Sequence, residues 1–279
     1  MSGTDAVSTA TGKSRREIHL ERVCDVLLGE VPVEVLTVMA SALESVESAR
    51  PEADRIAFCL DAQALLKVHR DHDTIDFLAA RHAGLLIVPA QVVQDLWHHA
   101  EAAVQSAAKI KTAYEGLAAH LDELEPEHER FRAAFTEALT NFQRSESQSW
   151  AAEYRGRMAG PLAALAEKAL EPHFPRARLA PAANERSATR TPPGAATGSR
   201  SPVYIWAEFM LGLLEGSDDD GVHLDLAVLV TDNRDGDWGA GLQAHPTLVA
   251  ELHELTGVAF EIWDPATLQR FAAEATSDE

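Results

Sequence analysis

Two acidic side chains follow apolar segments whose composition is typical of buried strands. Asp61 comes directly after the segment 56–60, and Asp232 comes just after the Val- and Leu-rich run 224–230. Near-continuous apolar runs of this kind predict strands of a parallel sheet that is covered on both faces. Ligands in open α/β sheets bind at the carboxyl ends of the strands, so Asp61 and Asp232 are candidates for chemistry. The alternative is that 231–236 is only a polar turn after a buried strand.

Two further carboxylates are expected at the same edge of the sheet. The segment 84–88 predicts a second strand, and a right-handed crossover makes it parallel to the first, so the residues after it share an edge with Asp61. A helix is predicted to begin near Gln91, which places Asp95 about one turn in. Asp237 ends the acidic segment after the central strand. The apolar residues predicted to face inward on the helix near Gln91 are Val92, Val93, Leu96 and Trp97.

Composition and charge limit the class of protein. The chain has 279 residues, 46% of them hydrophobic, which is enough for one large core with a helical annex. Lys and Arg total 24 against 44 Asp and Glu, so the formal charge is −20 and the surface as a whole repels nucleic acid. Any contact with nucleic acid must therefore be local.

Cysteine usage and hydropathy predict the compartment. The two cysteines, Cys24 and Cys59, are too few for a disulfide scaffold, which fits a reducing cytoplasm. No apolar core follows the basic residues near the start, and no run of apolar residues is long enough to cross a membrane. The chain is therefore expected to be cytoplasmic and to have no membrane partner.

The alternation of strands and helices predicts an α/β fold with a central parallel sheet of about four or five strands. Residues 1–14 are predicted to be disordered, 15–50 to form a helical extension, and 51–279 to form the main domain. Within the main domain, a helical insertion is expected at about 98–172, with an interruption at Gly160-Pro161. The extension is expected to cover the main domain, and the alternative is an arm that binds a partner or drives oligomerisation.

The segment 172–202 gathers Pro, Ala, Arg, Gly and Ser and is predicted to be a long irregular loop. It also clusters cations in an otherwise acidic chain, which makes it the best candidate for a surface that faces phosphate. The alternative is a solvated linker whose arginines have no specific role. The arginines of this predicted basic loop are Arg176, Arg178, Arg186, Arg190 and Arg200.

The ordered set of acidic segments resembles the PIN-like domain family, and in particular a bacterial branch in which a long helical insertion separates the first two acidic motifs from the last two. Asp61-Ala-Gln-Ala-Leu-Leu resembles the family's opening Asp-Thr-Asn-Val-Leu-Leu. The segment 88–97 resembles the second block, Pro-x-Gln-Val-x-x-Glu-Phe, with Asp95 at the acidic position. The other matches are Pro192-Pro-Gly194 and Ile205-Trp206 near the third block, 230–238 for the fourth, and 260–265 for the closing strand and helix. Together they cover about residues 55–271.

The resemblance implies a PIN-like three-layer sandwich and a metal-dependent endoribonuclease site. In such a site Mg²⁺ or Mn²⁺ orients a water for in-line attack on a phosphodiester of single-stranded RNA and stabilises the leaving oxygen. The basic loop would guide the substrate, and a protein partner would bind the N-terminal helices or the helical insertion. The metal ligands and catalytic residues that the resemblance implies are Asp61, Asp95, Asp232 and Asp237.

The chain departs from the family pattern at two positions that matter for the site. Where the family has Gly-Asp before its third helix, this chain has Ser201-Pro202, so one expected ligand is missing. Ala62 stands where the family has a Thr whose hydroxyl helps to orient the first carboxylate. Glu208 is the nearest acid downstream but lies on another face of its helix, and Asp235 is the other candidate for a replacement oxygen. The alternative to an active ribonuclease is therefore a catalytically degenerate module that binds RNA or a protein partner without cleavage.

Overall fold

The structure, a computed structural model, describes residues 13–43, 51–122, 129–146, 151–195, 199–219, 223–233, 238–240 and 243–277. The chain divides into two units, one of residues 1–95 and 164–279 and the other of residues 96–163. No helix in these described ranges is long and apolar enough to span a membrane.

A parallel sheet lies at the centre of the first unit. Along the sheet the strands follow the order β2 (Leu85–Ile87), β1 (Ile56–Leu60), β3 (Leu226–Val230) and β6 (Ala259–Trp263), and every neighbouring pair is parallel. Strands β1 and β3 are buried along their whole length because their sequences are entirely apolar, and Leu170 adds a single parallel bridge beside Ile87 at the β2 edge. The predicted α/β class with a parallel sheet is thus confirmed. A separate antiparallel pair consists of β4 (Gly239–Ala240) and β5 (Gln243–Ala244).

Helices connect the strands and form both units. Local signals set several of their ends: Pro246 and Pro265 occupy first helical positions, and Gly257 ends a helix in the left-handed conformation with a φ of 72°. The helices are α1 (Arg15–Leu27), α2 (Val35–Leu43), α3 (Ala62–Val68), α4 (His72–Asp76), α5 (Ala90–Asp122), α6 (Glu129–Glu146), α7 (Ala151–Ala166), α8 (Arg176–Thr189), α9 (Ser201–Asp219), α10 (Pro246–Thr256) and α11 (Pro265–Ser277). A π-helical turn, Phe77–Arg81, continues α4.

Aromatic side chains pack against the two faces of the sheet. On one face, the ring of Phe58 lies 5.5 Å from that of Trp263 and 5.9 Å from that of Phe271 in α11. On the other face, the ring of Phe260 lies 5.1 Å from that of Trp206 in α9. The sheet is therefore covered by helices on both sides, as a three-layer α/β arrangement requires.

The two N-terminal helices cover the first unit. Helix α1 packs on α8, α9 and α10, and α2 packs on α10. The turn between α1 and α2 contains Gly29 with a φ of 70°, and the guanidinium of Arg22 donates to the carbonyl oxygen of Leu255 at 2.7 Å. Ser14 caps α1 by accepting from the backbone N–H of Glu17. These helices are part of the sheet-bearing unit.

The second unit consists of helical segments only in its described residues. It contains most of α5, all of α6 and most of α7. Helix α7 runs without a break through Gly160 and Pro161, so the predicted interruption there is wrong. An internal proline removes one backbone donor and disfavours the helix around it, yet the chain is helical on both sides of Pro161.

The predicted basic loop at 172–202 is also wrong, because residues 176–189 form helix α8. Prolines 175 and 181 made the segment resemble a loop, but it is rich in alanine, the best helix former. Its buried residues follow helical spacing: they are Leu179, Ala182, Ala183 and Arg186.

One prediction about helix α5 is half wrong. Val92 and Leu96 are buried as predicted, whereas Val93 and Trp97 are 46% and 65% exposed. At about 100° per residue, Val92 and Leu96 lie close together on the helix, and Val93 and Trp97 lie on the side that the buried face does not reach.

Candidate active site

The order of the strands creates a crevice at one edge of the sheet. The chain leaves β1 toward β2 on one side and leaves β3 toward β6 on the other, although β1 and β3 are neighbours. The connections diverge at this point, which is where open α/β sheets bind ligands. Asp61 directly follows β1 and Asp232 follows β3, and the register pairs Leu60 with Val230. Both carboxylates thus lie at the same end of adjacent strands.

The Asp61 carboxylate is held in place by local and long-range hydrogen bonds. Asp61 is the N-cap of α3, and its Oδ1 accepts from the backbone N–H of Ala64 at 2.7 Å. Its Oδ2 accepts from the hydroxyl of Thr231, the residue after β3. The backbone N–H of Asp61 donates to the carbonyl oxygen of Val230 at 3.0 Å. Asp61 is therefore tied to both strands that border the crevice.

Burial dominates the ionisation of Asp61, which is 7% exposed. It raises the pKa of the Asp61 carboxyl to about 6, although hydrogen bonds from Thr231, Ala64 and Gln63 favour the charged form. The negative charge of Asp232 raises this pKa further. The two neighbouring acids form a region of negative potential, which attracts cations.

Asp232 faces a cation from the helix after β1. Nζ of Lys67, near the end of α3, lies 2.7 Å from Oδ2 of Asp232. The side chains are 57% and 31% exposed, so the ion pair stands at the mouth of the crevice. Lys67 was not among the predicted site residues, because its position in α3 gives no indication of a partner on the loop after β3.

Asp95 lies on α5, the helix that follows the edge strand β2. Its Oδ1 accepts from the side-chain amide of Gln91 at 2.8 Å, and its Oδ2 accepts from the hydroxyl of Ser201 at the start of α9. Ser201 therefore contacts the second acidic position, and the adjacent Pro202 has no side-chain donor or acceptor. Asp95 is held by neutral donors on both oxygens.

Glu208 supports neighbouring backbone inside the protein. This agrees with the expectation that it lies on another face of its helix from Pro202. It is fully buried in α9, and its carboxylate accepts from the backbone N–H groups of Gln91 at 2.7 Å and Phe174 at 3.2 Å. Nη1 of Arg176 lies 3.2 Å from Oε1 of Glu208. Burial raises the pKa of the Glu208 carboxyl, while these partners favour its charged form. Glu208 thus fixes the first turn of α5, next to the turn that carries Asp95.

The structure describes three of the four predicted carboxylates, those of Asp61, Asp95 and Asp232. Asp237 and Asp235 lie outside the described residues. Within the described parts of the chain, no three His, Cys, Asp or Glu side chains form a group that could hold a metal ion. The pair of Asp61 and Asp232 still suits Mg²⁺ or Mn²⁺, because Mg²⁺ is commonly bound by one or two carboxylates and keeps several waters.

The five arginines of the predicted basic loop have different environments. Arg186 is 3% exposed and binds both oxygens of Glu251, at 2.7 and 3.2 Å, so its predicted contact with substrate is wrong. Arg178 forms an exposed ion pair with Glu17 of α1. Arg190 ends α8 in the left-handed conformation, and both it and Arg200 are exposed.

Arg176 is the arginine of α8 closest to the residues that support the site. Its guanidinium carbon lies 4.5 Å from the centre of the Tyr204 ring, and its side chain is 28% exposed. Tyr204 follows Ser201 within the first turn of α9. Both terminal nitrogens of the Arg176 guanidinium are nevertheless buried, and one of them faces Glu208. The predicted contact of Arg176 with substrate is therefore wrong, because its charged end points into the protein, whereas that of the exposed Arg200 stays a prediction.

A hydroxyl that the sequence analysis considered missing is supplied from another strand. Ala62 lacks the hydroxyl that the family pattern places after the first aspartate, but Thr231 donates its hydroxyl to Asp61 from the neighbouring strand. Thr231 directly precedes Asp232 in the sequence, and its role at the site could have been predicted from this position. Its importance depends on the β1–β3 pairing.

The fold and the site define an α/β protein with two carboxylates at the switch point of a parallel sheet. Comparisons with protein-family models, with curated proteins and with solved structures find no match.

Proposed function

We propose that this chain is a PIN-like, metal-dependent endoribonuclease that hydrolyses phosphodiester bonds of single-stranded RNA. The observation that carries the proposal is the position of Asp61 and Asp232 at the carboxyl ends of adjacent parallel strands, where the chain connections diverge. The resemblance of the acidic segments, in order along the chain, supports the same class. Asp237 is the further ligand that the proposal includes, because Asp95 does not form a group of three metal ligands with Asp61 and Asp232.

Asp61 and Asp232 are the residues that would hold Mg²⁺ or Mn²⁺, and such an ion supplies an activated water and neutralises charge on the leaving oxygen. Asp61 is fixed in orientation by Thr231 and Ala64, so it is prepared to bind without rearrangement. Its pKa of about 6 leaves it mostly ionised near neutral pH, as a ligand must be.

The charge distribution supports a substrate that approaches at one place. The formal charge of −20 repels RNA from most of the surface. Lys67 lies at the mouth of the crevice, where its ammonium pairs with Asp232. Local cations of this kind bind phosphates of a single strand without reading its sequence.

A module that binds RNA or protein without cleavage is the second candidate. Pro202 stands where the family pattern has a carboxylate, the preceding Ser201 donates to Asp95, and the described residues contain no group of three metal ligands. A hard-metal site that loses a carboxylate binds its ion more weakly, because fewer charged oxygens offset the cost of removing water. Either candidate uses the same crevice.

The test is Mn²⁺-dependent degradation of a single-stranded RNA by the wild-type chain, Asp61→Asn and Asp232→Asn. The matched control is Asp225→Asn, because Asp225 precedes the same strand β3 at its opposite end and pairs with Arg55 at 2.7 Å. We expect both site variants to lose activity by about 100-fold or more, on the scale of losing preorganised electrostatic stabilisation. The control variant should keep it. Equal activity in all four proteins would identify a contaminating nuclease and favour the binding module.

A further inference from the structure

Lys67 links the two sides of the crevice. It lies near the end of α3, the helix that Asp61 caps, and its Nζ contacts Oδ2 of Asp232 on the loop after β3 at 2.7 Å. The two elements leave the sheet at the carboxyl ends of β1 and β3. Lys67 therefore places a positive charge at the carboxylate that the proposed function assigns to a metal ion.

We propose that Lys67 is the phosphate-binding residue of this site: its ammonium balances Asp232 while no divalent cation is bound and contacts a phosphate of the RNA once one is. The inference rests on the proposed function, since it uses the same carboxylates. It adds a residue that neither the acidic motifs nor the predicted basic loop contains.

Because the ion pair between Lys67 and Asp232 is exposed, breaking it costs little free energy. Lys67 is 57% exposed, and exposed ion pairs contribute only about 0.2–1 kcal/mol. A divalent cation carries twice the charge and binds carboxylate oxygens directly, so it can displace the ammonium from Asp232. Asp61, which is buried and held by Thr231 and Ala64, stays in place during the exchange.

The chemistry of lysine suits the second role. Its charge sits on a flexible stem of four carbons, so the ammonium can move from Asp232 to a neighbouring anion while α3 remains fixed. A lysine also binds phosphate as a point charge, without the planar geometry that arginine requires. In a chain with a formal charge of −20, a cation next to the acids lowers the repulsion that an approaching phosphate meets.

The experiment compares Lys67→Met and Lys67→Arg with the wild-type chain in two binding measurements. Calorimetry measures Mn²⁺ affinity without RNA, and fluorescence anisotropy measures binding of a labelled single-stranded RNA in Ca²⁺ at several salt concentrations. The matched control is Arg55→Met, because the Arg55–Asp225 pair has the same 2.7 Å distance and similar exposure at the opposite end of β1 and β3. This control separates a local effect of Lys67 from the loss of any surface ion pair.

We expect Lys67→Met to change the two affinities in opposite directions. Mn²⁺ affinity should rise about 1.4- to 5-fold, which is the energy of an exposed ion pair expressed as a ratio. RNA affinity should fall, and the slope of log K against log salt should become shallower by about 0.7, the value for one phosphate contact on a single strand. Lys67→Arg should retain most of the RNA affinity, and Arg55→Met should match the wild type in both measurements.

Other outcomes separate this inference from the proposed nuclease activity. If Lys67→Met equals the wild type in both affinities, or lowers both together with thermal stability, Lys67 has only a structural role and the inference fails. The nuclease proposal would then still depend on Asp61→Asn and Asp232→Asn. If the opposite shifts appear but the wild-type chain cleaves no RNA, the inference holds and the hydrolytic function fails.

Discussion

Thr231 donates its hydroxyl to Oδ2 of Asp61 across the boundary between two parallel strands. The same hydroxyl oxygen accepts from the backbone N–H of Asn233 at 3.0 Å. One buried side chain therefore orients the first carboxylate and shapes the loop that carries Asp232. This arrangement explains how the chain keeps an oriented aspartate with Ala62 next to it.

Thr231→Val should weaken the carboxylate pair. Removing the hydroxyl takes away a hydrogen bond that favours ionised Asp61, so the pKa of Asp61 should rise further above 6 and Mn²⁺ affinity near pH 6 should fall several-fold. Calorimetry at pH 6 and pH 8 measures the change, which should be larger at pH 6. Thr256→Val is the control, since the Thr256 hydroxyl also accepts a backbone N–H two residues on, from Val258 at 3.2 Å. An equal loss of affinity in the control would contradict a specific role for Thr231.

The stability of Asp61→Asn relative to the wild type should depend on pH. The folded-state pKa of Asp61 is about 6 and its ordinary value is 3.8, so the folded protein takes up a proton between these values while the unfolded chain stays ionised. Wild-type stability should therefore gain about 2–3 kcal/mol from this group as the pH falls from 7 to 3.5. The variant has no such gain, so its advantage should be greatest above pH 6. Urea denaturation in EDTA measures the difference, and a difference independent of pH would show that Asp61 is not buried as a carboxylate.

Glu208→Gln should reduce stability without changing metal binding. Glu208 accepts from the backbone N–H groups of Gln91 and Phe174, and a glutamine has only one acceptor oxygen. A buried N–H left without a partner costs about 1–3 kcal/mol, measurable by urea denaturation. Asp232→Asn should behave in the opposite way, with weaker Mn²⁺ binding and little change in stability because Asp232 is 31% exposed. Loss of Mn²⁺ affinity in Glu208→Gln at equal folded fraction would show that Glu208 is a ligand after all.

Arg186→Met should destabilise the fold strongly. Arg186 and Glu251 are almost fully buried, and Oε2 of Glu251 also accepts from the indole N–H of Trp206 at 2.9 Å. Burial raises the pKa of the Glu251 carboxyl and Arg186 lowers it, so removing Arg186 leaves an unpaired buried acid. Breaking one partner of such a pair costs about 3–5 kcal/mol.

A double variant provides the control for Arg186. Arg186→Met combined with Glu251→Gln removes both charges, so it should recover part of the stability that the single variant loses. RNA affinity of the folded fraction should equal that of the wild type, because Arg186 is inside the protein. A specific loss of RNA binding would restore Arg186 to the substrate surface.

The elements that local signals define were predictable. The Val- and Leu-rich run before Thr231 forms β3, and Pro265 and Gly257 mark helix ends. These features depend on neighbouring residues: proline fixes its own φ, and glycine accepts a left-handed conformation that other residues avoid. The chirality of the crossover also follows from local twist, so the sequence placed Asp61 and Asp232 at the same edge of the sheet.

Prediction failed where composition and packing disagree. Helix α8 contains Pro181 and three arginines, so its composition resembles a loop. Its buried positions nevertheless include Arg186, because Glu251 on α10 offsets the cost of burying a guanidinium. A partner that lies far away in the sequence gives no local signal, so an arginine was expected at the surface.

The sequence by itself determined which residues form strands and which acids follow them, because strand propensity, turn residues and the handedness of crossovers act over short distances. Only the tertiary structure decided which polar atoms meet: Lys67 with Asp232, Thr231 with Asp61, and Ser201 with Asp95. Each of these contacts joins elements that are far apart in the chain. Their geometry is set by how the strands pair and how the helices pack, and the free energy of those contacts depends on burial that no short segment specifies.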